Sequence, residues 1–480
     1  MIGRSKEQKT LTLLLKREKS SFVAVTGRRR VGKTFLIDDF FQDHLCFRIT
    51  GIQNGTFEEQ LVNFHHRLNH SVGQNKKKAE GLDANPPENW QEAFQRLRSY
   101  LDSLSSRKKK VIFVDELPWM ATPRSNMLQH LAHLWNDYLS KKKHFILVVC
   151  GSASSWLTAK VLNDPGGLHN RVSDHINLHP FTLKETKAFL EHKGIRLSHQ
   201  EIAKIYMTFG GVPYYLEQIR RGENATVAIE RICFSNEGML KNEYGNLYKA
   251  LFRNPEYHES VVEVLASKSS GLTRKEIIQQ SKLKAGGAYD RTMNDLLMSG
   301  FISEFLPYGK KKRGVLYRLN DEFSIFYHRF MKTNRSYSKG IWAQLSASQS
   351  YKIWTGYAFE SVCMKHIDEI KHALGISAVY TEVSGFRVEG NTYEKGFQID
   401  LVLDRKDDVI HLFEIKYYAA SFKIDKDYAR NLRERKQRFI EHTGTKKQVF
   451  TSFITNHGIK ENAFSHEVVD SELILDDFFE

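Results

Sequence analysis

Cysteine is scarce in this chain of 480 residues, which contains only Cys46, Cys150, Cys233 and Cys363. These four lie far apart and no two have the spacing of metal ligands, which argues against a disulfide framework and a zinc ribbon. Long apolar runs are absent too, because none approaches the roughly 18 to 20 residues that cross a bilayer. The opening segment, MIGRSKEQKT, lacks the apolar core of a signal peptide. We therefore expect a cytoplasmic protein in a reducing compartment, with no membrane partner.

Positive charge exceeds negative charge, with 71 Lys and Arg against 56 Asp and Glu and a formal net charge of +15. Such an excess favours a polyanionic partner, such as nucleic acid and above all DNA, through counterion release. The alternative is a basic soluble protein that touches no nucleic acid. The chain is too long for one ordinary domain, so we expect three or four units. It shows no internal repeat and no long low-complexity segment.

The first part of the chain alternates between two kinds of pattern. Short apolar runs typical of buried parallel strands occur at 22–26, 45–50, 110–115 and 144–150. Amphipathic stretches near 57–69, 89–104 and 124–140 separate them. This alternation predicts an α/β fold with a three-layer core and a largely parallel sheet. The polar stretch 71–88 is predicted to be a surface loop.

A glycine-rich segment follows the first predicted strand and fits the pattern G-x-x-x-x-G-K-[ST]. Glycines let backbone N–H groups close around phosphate oxygens at a helix N-terminus, while Lys33 supplies a cation and the Thr34 hydroxyl can ligate Mg²⁺. The pattern predicts a P-loop that binds ATP and Mg²⁺. The predicted contacts are Gly27, Arg28, Arg29, Arg30, Val31, Gly32, Lys33, Thr34 and Phe35.

Two carboxylates end the strand predicted in KVIFVDELPW, as in a Walker B motif. Asp115 is predicted to hold Mg²⁺, directly or through water, and Glu116 to orient and deprotonate the attacking water. The alternative is an acidic strand end at the surface.

Two further residues are candidates for contact with the γ-phosphate. Ser152, after the fourth strand, is predicted to act as a sensor, although Ser and Gly are also ordinary turn residues. Arg171 is predicted to reach a neighbouring subunit's γ-phosphate as an arginine finger, and a structural ion pair is the alternative. Oligomeric state therefore stays open, a homo-oligomer included.

Several motifs occur in a recognisable order: IGR at 2–4, the P-loop, VDE at 114–116, CGSAS, NRV…HPF and GGVPYYL at 210–216. Together they resemble the archaeal and bacterial predicted ATPases of the AAA superfamily, close to the STAND-like ATPases. The resemblance implies that Gly3 and Arg4 lie near the adenine. It also implies that Pro213 and Tyr214, in a lid segment packed over the nucleotide, contact the ligand.

The middle of the chain loses its strand signals. Residues 182–233 predict several short helices that form a lid, and 255–335 predict three helices followed by a β-ribbon, the order of a winged helix. The recognition helix is predicted at 287–300. A basic wing is predicted at Lys310, Lys311, Lys312 and Arg313. This wing suits a phosphate backbone, but such a charge run can also keep an edge hairpin soluble, and many winged helices bind proteins.

The C-terminal region carries a second constellation of acidic and basic residues. Asp400 ends a predicted strand, and Glu414 and Lys416 point to one side of the next because side chains alternate along a strand. Glu360, on a preceding helix, is predicted to join the two carboxylates as an Mg²⁺ ligand, with Lys416 steadying charge on a scissile phosphate.

This arrangement resembles the PD-(D/E)XK nuclease fold at Asp400, Glu414 and Lys416, although Gln398 and Ile399 stand where a proline is usual. A basic helix at 425–441 supports the resemblance with five cations. They are Arg430, Arg433, Arg435, Lys436 and Arg438. The alternative is a nuclease-like domain that only binds, with its carboxylates in a surface salt-bridge cluster.

The sequence therefore predicts four domains. These are an ATPase core at 1–181, a helical lid at 182–250, a winged helix at 251–340 and a C-terminal α/β restriction-endonuclease-like domain at 341–480. We expect the nucleotide state to control nucleic-acid binding and Mg²⁺-dependent cleavage, in defence or mobile-element biology by analogy. Two other hypotheses stay open: an ATPase switch or scaffold that binds without cutting, and a ring-shaped remodelling motor.

Overall fold

The structure is a computed structural model that describes all residues except 75–83, 106–107, 164–165, 169, 311–313, 335–338 and 391–395. The chain divides into two units, Met1–Pro180 with Asn294–Gly300 and Phe181–Met293 with Phe301–Glu480. The finer division into four domains stays a prediction.

A five-stranded sheet organises the first unit. Its strands are β1 (Ser21–Thr26), β2 (Leu45–Thr50), β3 (Lys110–Asp115), β4 (Phe145–Cys150) and β5 (Asp174–Asn177). They lie in the order β2-β3-β4-β1-β5, and every neighbouring pair is parallel. The four strands predicted from apolar runs are present within a residue or so of their expected bounds.

Strand β5 was missed because its sequence, DHIN, is polar and only Ile176 is buried. Its polar side chains are satisfied by neighbours. Asp174 accepts hydrogen bonds from Arg17 at 2.6 and 3.1 Å, and the His175 ring nitrogen lies 2.7 Å from the Thr26 hydroxyl. Backbone pairing with β1 and these contacts, rather than an apolar run, hold the strand at the sheet edge.

Helices cover both faces of this sheet. They are α1 (Ser5–Lys16), α2 (Lys33–Phe40), α3 (Phe57–Gln74), α4 (Trp90–Asp102), α5 (Leu117–Met120), α6 (Met127–His133) and α7 (Ser154–Leu157). Two π-helical turns (Leu134–Tyr138 and Thr158–Leu162) and a 3₁₀ turn (Leu139–Lys141) extend α6 and α7. Phe22 packs into one core with Trp90, and Val23 packs into the other with Ile37. Because adjacent residues of one strand enter opposite cores, the predicted three-layer arrangement is confirmed.

The second unit begins with helices. They are α8 (Leu183–His192), α9 (His199–Phe209), α10 (Pro213–Leu216), α11 (Ala225–Ile229), the π-helical turn Glu230–Phe234 and α12 (Glu243–Leu251). Helix α8 starts at a capping box, in which the Thr182 side chain and Glu185 satisfy each other's backbone N–H groups. The Ser198 side chain caps α9. The short helices predicted after Pro180 are therefore present.

Three helices and a small sheet follow in the chain, and the end of the third helix, from Asn294, is counted with the first unit. They are α13 (Pro255–Ala266), β6 (Leu272–Thr273), α14 (Arg274–Gln280), α15 (Gly287–Met298), β7 (Ile302–Phe305) and β8 (Leu316–Leu319). The three strands are antiparallel in the order β6-β8-β7. The element order is that of the predicted winged helix, with the two-residue strand β6 added. Lys310 is exposed, whereas Lys311, Lys312 and Arg313 of the predicted wing lie outside the described residues.

The rest of the unit is built on a mixed sheet. Its helices are α16 (Glu322–Phe326), the π-helical turn Tyr327–Met331, α17 (Ile341–Ser346), α18 (Gln349–Lys365), α19 (Ile367–Ala373), α20 (Lys426–Thr443), α21 (Ala463–Val468) and the 3₁₀ turn Leu475–Phe479. Its strands are β9 (Thr381–Val388), β10 (Phe397–Arg405), β11 (Val409–Lys416), β12 (Phe422–Lys423), β13 (Gln448–Thr455), β14 (Ile459–Lys460) and β15 (Ser471–Ile474).

This sheet has the order β15-β13-β11-β10-β9. The hairpins β9-β10-β11 are antiparallel, and α20 carries the chain from β11 to the parallel strand β13. Strands β12 and β14 form a separate parallel pair. The sequence pattern around 377–383 predicts a strand there, whereas β9 begins at Thr381 and ends at Val388.

The β-ribbon is docked on the edge strand of the mixed sheet. The Tyr308 backbone N–H donates to the Gly385 carbonyl oxygen at 2.8 Å. A Cβ added at Gly385 would lie 2.6 Å from the Phe305 ring, so glycine is what allows the ring to rest on β9. The predicted winged helix and C-terminal region therefore share a packed interface within one unit.

No helix in the described part of the chain is long and apolar enough to cross a membrane.

In the predicted lid segment GGVPYYL, the backbone at Gly211 lies very close to the backbone at Phe181. The Phe181 N–H donates to the Gly211 carbonyl oxygen at 2.7 Å, and a Cβ added at Gly211 would lie 1.8 Å from the Phe181 carbonyl oxygen. Only glycine fits this close approach.

We predict that Gly211→Ala lowers the free energy of unfolding of the second unit by about 2–4 kcal/mol, since backbone must move to relieve the clash. Gly245→Ala is the matched control, because a Cβ there meets nothing within 4 Å and alanine favours the helix by roughly 0.5–1 kcal/mol. Urea unfolding of both variants checks this, and equal midpoints would contradict it.

Candidate functional site

The P-loop has a backbone that only glycine allows at both ends. Gly27 has φ 136°, and a Cβ there would lie 2.3 Å from the Leu178 carbonyl oxygen. Gly32 has φ 90°, and a Cβ there would project into open space with nothing within 4 Å. Helix α2 begins at the next residue, so its free N–H groups face this opening. A phosphate group fits such a cradle.

Lys33 lies folded back on the loop. Its ammonium group donates to the carbonyl oxygens of Gly27 at 2.8 Å and Arg28 at 3.0 Å, and it lies 3.4 Å from the Ser152 hydroxyl. Burial lowers the pKa of Lys33, although nearby Cys150, Glu116 and Asp115 oppose the shift. A bound phosphate would supply the anionic partner that this buried cation needs.

The Asp115 carboxylate is buried at the end of β3 and accepts hydrogen bonds on both oxygens. The Thr34 hydroxyl donates to it at 2.9 Å, the Glu116 N–H donates at 3.0 Å, and the buried Cys150 thiol donates as well. The two residues predicted to hold Mg²⁺, Thr34 and Asp115, are thus in direct contact.

Glu116 accepts two hydrogen bonds from Ser152, the predicted sensor. The Ser152 hydroxyl donates to one Glu116 oxygen at 2.5 Å and the Ser152 N–H donates to the other at 2.9 Å. Glu116 adopts a left-handed backbone with φ 48°, which turns its side chain away from the strand direction and toward β4. The predicted water-orienting carboxylate and sensor therefore form one unit with Lys33.

Arg4 has a structural role that the sequence did not show. Its guanidinium donates to the Val31 carbonyl oxygen at 2.9 Å and to the His179 carbonyl oxygen at 2.5 Å. Gly3 and Arg4 both have positive φ, at 62° and 58°, where α1 begins. Arg4 therefore braces the P-loop backbone. The adenine contact implied for Gly3 and Arg4 stays a prediction.

The other P-loop residues differ in exposure. Arg28 and Val31 are buried, whereas the Phe35 side chain is 63% exposed on α2. Arg29 is half-buried, and Arg30 has a left-handed backbone with φ 76°.

Arg171 is exposed, and no carboxylate pairs with it within the described ranges. Whether Arg171 acts as an arginine finger or has a structural role stays a prediction. Pro213 occupies the first turn of α10 and Tyr214 is 36% exposed. Both belong to the second unit, and their nucleotide contact stays a prediction.

The residues present fit ATP with Mg²⁺. The open cradle at Gly32 suits phosphate, and the Thr34 hydroxyl and Asp115 carboxylate are oxygen ligands. Among the described residues no three His, Cys, Asp or Glu side chains are grouped to hold a metal on their own. Mg²⁺ does not require such a group, because it usually keeps several waters and takes one or two carboxylates together with substrate phosphates.

The second candidate site gathers Asp400, Glu414 and Lys416 on β10 and β11. Asp400 accepts the Ile415 N–H at 3.3 Å. Lys416 lies 2.6 Å from one oxygen of Glu414. Burial and the neighbouring Glu414 raise the pKa of Asp400 to about 6, and the pKa of Lys416 is raised by Glu414 and Asp400 against the effect of burial.

Glu414 is held by helix α20. Tyr428 donates to it at 2.7 Å and Arg435 at 2.9 Å. Although burial raises the pKa of Glu414, Lys416 and Arg435 lower it overall, so this carboxylate is ionised at neutral pH. Arg435 is thus the cation of the predicted basic helix that reaches the cluster. Arg433 and Lys436 instead pair with Glu467 and Asp470, and Arg430 with Asp427.

Glu360 on α18 is close enough to interact electrostatically with Asp400 and Lys416. Within the described residues, however, Glu360, Asp400 and Glu414 are not grouped as three ligands for a metal ion, so the role of Glu360 as a further Mg²⁺ ligand stays a prediction. Burial and Asp400 raise the pKa of Glu360 to about 8, while Lys416 and Arg318 lower it. Arg318, on β8, was not predicted as a site residue. No local motif marks it, because it meets Glu360 and Asp400 only through the docking of the β-ribbon on β9.

Comparison with known proteins agrees with this geometry in the first unit. Residues 1–219 match a family described as an ATPase domain predominantly from Archaea. A solved structure, the Walker-type ATPase PABY2304 of Pyrococcus abyssi, is similar in fold with a TM-score of 0.52 and 18% identity over 69% of this chain and 96% of that one. The P-loop and the Asp115–Glu116 pair lie within the residues that match this ATPase domain, and the likeness to the solved structure shows a shared fold.

The likeness to one curated protein extends further along the chain. An uncharacterized protein of Methanocaldococcus jannaschii, MJECL04, is 25% identical over 423 residues, which cover 87% of each chain. The shared sequence therefore reaches well into the second unit.

We predict that Glu360 and Asp400 make the metal-free protein less stable as pH rises. Their pKa values, about 8 and about 6 in the folded chain, exceed ordinary values, so the folded state holds more protons than the unfolded state up to about pH 8. Stability from these groups is present at low pH and is lost as pH rises through the folded pKa values.

Glu360→Gln should remove much of this loss of stability. At pH 8 its free energy of unfolding should exceed that of wild type by about 1–3 kcal/mol. Urea unfolding in EDTA at pH 5 and pH 8 measures it, with exposed Glu434→Gln as control. Parallel pH curves for wild type and Glu360→Gln would contradict the assignment.

Proposed function

We propose that this chain hydrolyses ATP with Mg²⁺ at the P-loop. The observation that carries the proposal is the continuous set of contacts from Thr34 to Asp115, to Glu116 and to Ser152. Every group that the chemistry needs lies in this set: a hydroxyl and carboxylate for the metal, a carboxylate for the water and a hydrogen-bonding sensor.

Each side chain has a distinct task in this proposal. Lys33 exchanges the carbonyl oxygens of Gly27 and Arg28 for phosphate oxygens. Thr34 and Asp115 would hold Mg²⁺, which neutralises charge on the phosphates when bound. Glu116 accepts a proton from the attacking water, and Ser152 releases Glu116 for this task while its hydroxyl turns toward the γ-phosphate. Arg4 keeps the loop in shape from behind.

We predict that Glu116→Gln lowers the turnover of ATP by about 10²- to 10⁴-fold, the usual range for loss of a general base, while ATP affinity changes little. A phosphate-release assay and ATP titration measure the two effects. Glu58→Gln, at an exposed position of α3, is the control and should leave turnover unchanged. Undiminished hydrolysis by Glu116→Gln would contradict the assignment.

A second function is proposed for the C-terminal region: Mg²⁺-dependent cleavage of nucleic acid, most naturally DNA. The observation that favours it is the proximity of Asp400, Glu414 and Lys416, on the neighbouring inner strands β10 and β11, to Glu360 on α18. Asp400 and Glu414 would hold Mg²⁺, which activates water when bound, while Lys416 steadies charge on the phosphate.

The alternative is a switch or scaffold that binds DNA or protein without cutting. Its supporting observation is that Glu414 already has three partners, Lys416, Tyr428 and Arg435. Such a network is also what a purely structural ion-pair cluster shows. The two hypotheses differ in whether the carboxylates are needed for phosphodiester cleavage.

Control of the C-terminal region by nucleotide state is also part of the proposal. Helices α8 and α9 follow the ATPase residues directly in sequence, and Gln200 on α9 donates to the Asn456 carbonyl oxygen at 2.6 Å, just after β13. A displacement of these helices would therefore reach the mixed sheet. Defence against foreign DNA or mobile-element maintenance is the setting that fits by analogy.

We predict that Asp400→Asn abolishes Mg²⁺- or Mn²⁺-dependent nicking of plasmid DNA while ATP hydrolysis persists. The neutral amide keeps the shape of the protonated acid, so the fold should tolerate it. Exposed Glu461→Gln is the control. If wild type and Asp400→Asn leave plasmid and linear DNA equally intact, with and without ATP, the nuclease is excluded and the non-cutting switch remains.

A further inference from the structure

A cavity of about 720 Å³ opens beside Glu360 in the second unit. Three parts of the chain bound it: the loop 267–270 before β6, Tyr357 and Glu360 on α18, and the facing ends of β9 and β10 at Arg387 and Gln398. Arg318 on β8 also lines it. The cavity therefore lies where the β-ribbon meets the carboxylate cluster.

Arg318 is the central residue of this cavity. Its guanidinium stacks on the Phe305 ring at 4.0 Å, and Nε donates weakly to the Ser270 carbonyl oxygen at 3.4 Å. Its terminal nitrogens have no hydrogen-bond or salt-bridge partner within the described ranges. Burial lowers the pKa of Arg318 against the opposing influence of Glu360 and Asp400. A guanidinium in this position offers two parallel N–H donors, the geometry that a phosphate accepts.

The position of Arg318 is fixed before any ligand binds. Phe305 supports one face of the guanidinium, and Gly385 leaves the room that the Phe305 ring occupies on β9. The Tyr308 N–H bond to the Gly385 carbonyl oxygen also joins the segment after β7 to β9. Little side-chain entropy is then lost when the guanidinium binds an anion.

The remaining lining suits a nucleotide. Arg387 is exposed at the rim and adds a second cation beside Arg318, whereas Lys268 is paired with Glu276 at 3.0 Å and Glu389 is an acid in the same lining. The Tyr357 ring is 49% exposed, and aromatic faces of this kind stack with bases of unpaired strands. The volume is in the range of roughly 300–1,000 Å³ typical of small-ligand sites, which suits one or two nucleotides and not a duplex.

We propose that this cavity binds a phosphate-linked nucleotide of an unpaired nucleic-acid strand, with Arg318 on the phosphate and Tyr357 against the base. The inference deepens the proposed nucleic-acid function of the C-terminal region and rests on it. Glu360 at the cavity wall places the bound phosphate next to the carboxylates. A free nucleotide has the same chemistry, so the experiment separates the two sources.

Binding of a fluorescein-labelled dT12 strand to the full chain, followed by fluorescence anisotropy in EDTA, tests the proposal without cleavage or MgATP. Arg318→Gln should weaken binding about tenfold or more through loss of the charged bidentate contact. The dT12 affinity of Arg318→Lys should lie between those of wild type and Arg318→Gln, because lysine keeps the positive charge but cannot donate two parallel hydrogen bonds. Tyr357→Ala should weaken binding by roughly fivefold or more.

Arg220→Gln is the matched control, since it removes one exposed positive charge in the same unit at a residue that does not line the cavity. It should change affinity less than about twofold. Equal losses for Arg220→Gln and Arg318→Gln would show diffuse charge attraction and overturn the proposal. If Arg318→Gln fails to fold, Tyr357→Ala still tests the proposal. An unchanged dT12 affinity in Tyr357→Ala would overturn the proposed contact between Tyr357 and the base.

Competitors identify the ligand. A dT12 strand should displace the probe, whereas thymidine monophosphate and a 12-base-pair duplex should displace it at least tenfold less well. If thymidine monophosphate displaces the probe equally well, the ligand is a free nucleotide and the proposal of a strand is overturned. If a duplex binds in a way that depends on Arg318, the proposal that the strand is unpaired is overturned. The nicking assay with Asp400→Asn tests the nuclease and not the cavity. If wild type does not cut DNA but Arg318→Gln still weakens dT12 binding, the nuclease proposal fails and the binding site stands.

Discussion

The Asp115 carboxylate is the interaction on which the rest of the nucleotide site depends. It is buried at the end of β3 and accepts hydrogen bonds from Thr34 and Cys150 side chains and from the Glu116 backbone. A buried carboxylate is stable only when several hydrogen-bond donors satisfy it. Those donors come from the P-loop, from β3 and from β4, so the same contacts that satisfy the buried carboxylate also bring together the groups for metal, water and sensor.

A second constraint organises the other unit. The β-ribbon rests on β9 because Gly385 has no side chain where the Phe305 ring lies. This contact, with the Tyr308 N–H bond to the Gly385 carbonyl oxygen, places Arg318 near Glu360 and Asp400. In this cluster Glu414 stays ionised, and Glu360 and Asp400 hold protons to higher pH. The predicted winged helix and nuclease-like region are therefore physically coupled, whether or not the cluster cuts nucleic acid.

Local patterns predicted much of this structure. Strand β3 and the P-loop were located because a continuous apolar run and a glycine spacing each leave a direct trace in the sequence. Strand β5 escaped because it is polar and held by pairing with β1, and β9 was misplaced because Ser384 and Gly385 interrupt its apolar pattern. The bracing of the P-loop by Arg4 and the place of Arg318 in the second site depend on packing between distant segments, which no local pattern encodes.

The central claim is that the Thr34 hydroxyl and Asp115 form the metal half of an ATP site. Calorimetric titration of ATP into the full chain, in Mg²⁺ and in EDTA, tests it most directly when wild type is compared with Thr34→Val, which keeps the shape and removes the hydroxyl. We expect Mg²⁺ to strengthen ATP binding to wild type by about tenfold or more, because the loss of one metal ligand costs at least this much affinity. In Thr34→Val we expect Mg²⁺ to have little effect on ATP affinity. The same Mg²⁺ dependence in both proteins would contradict it.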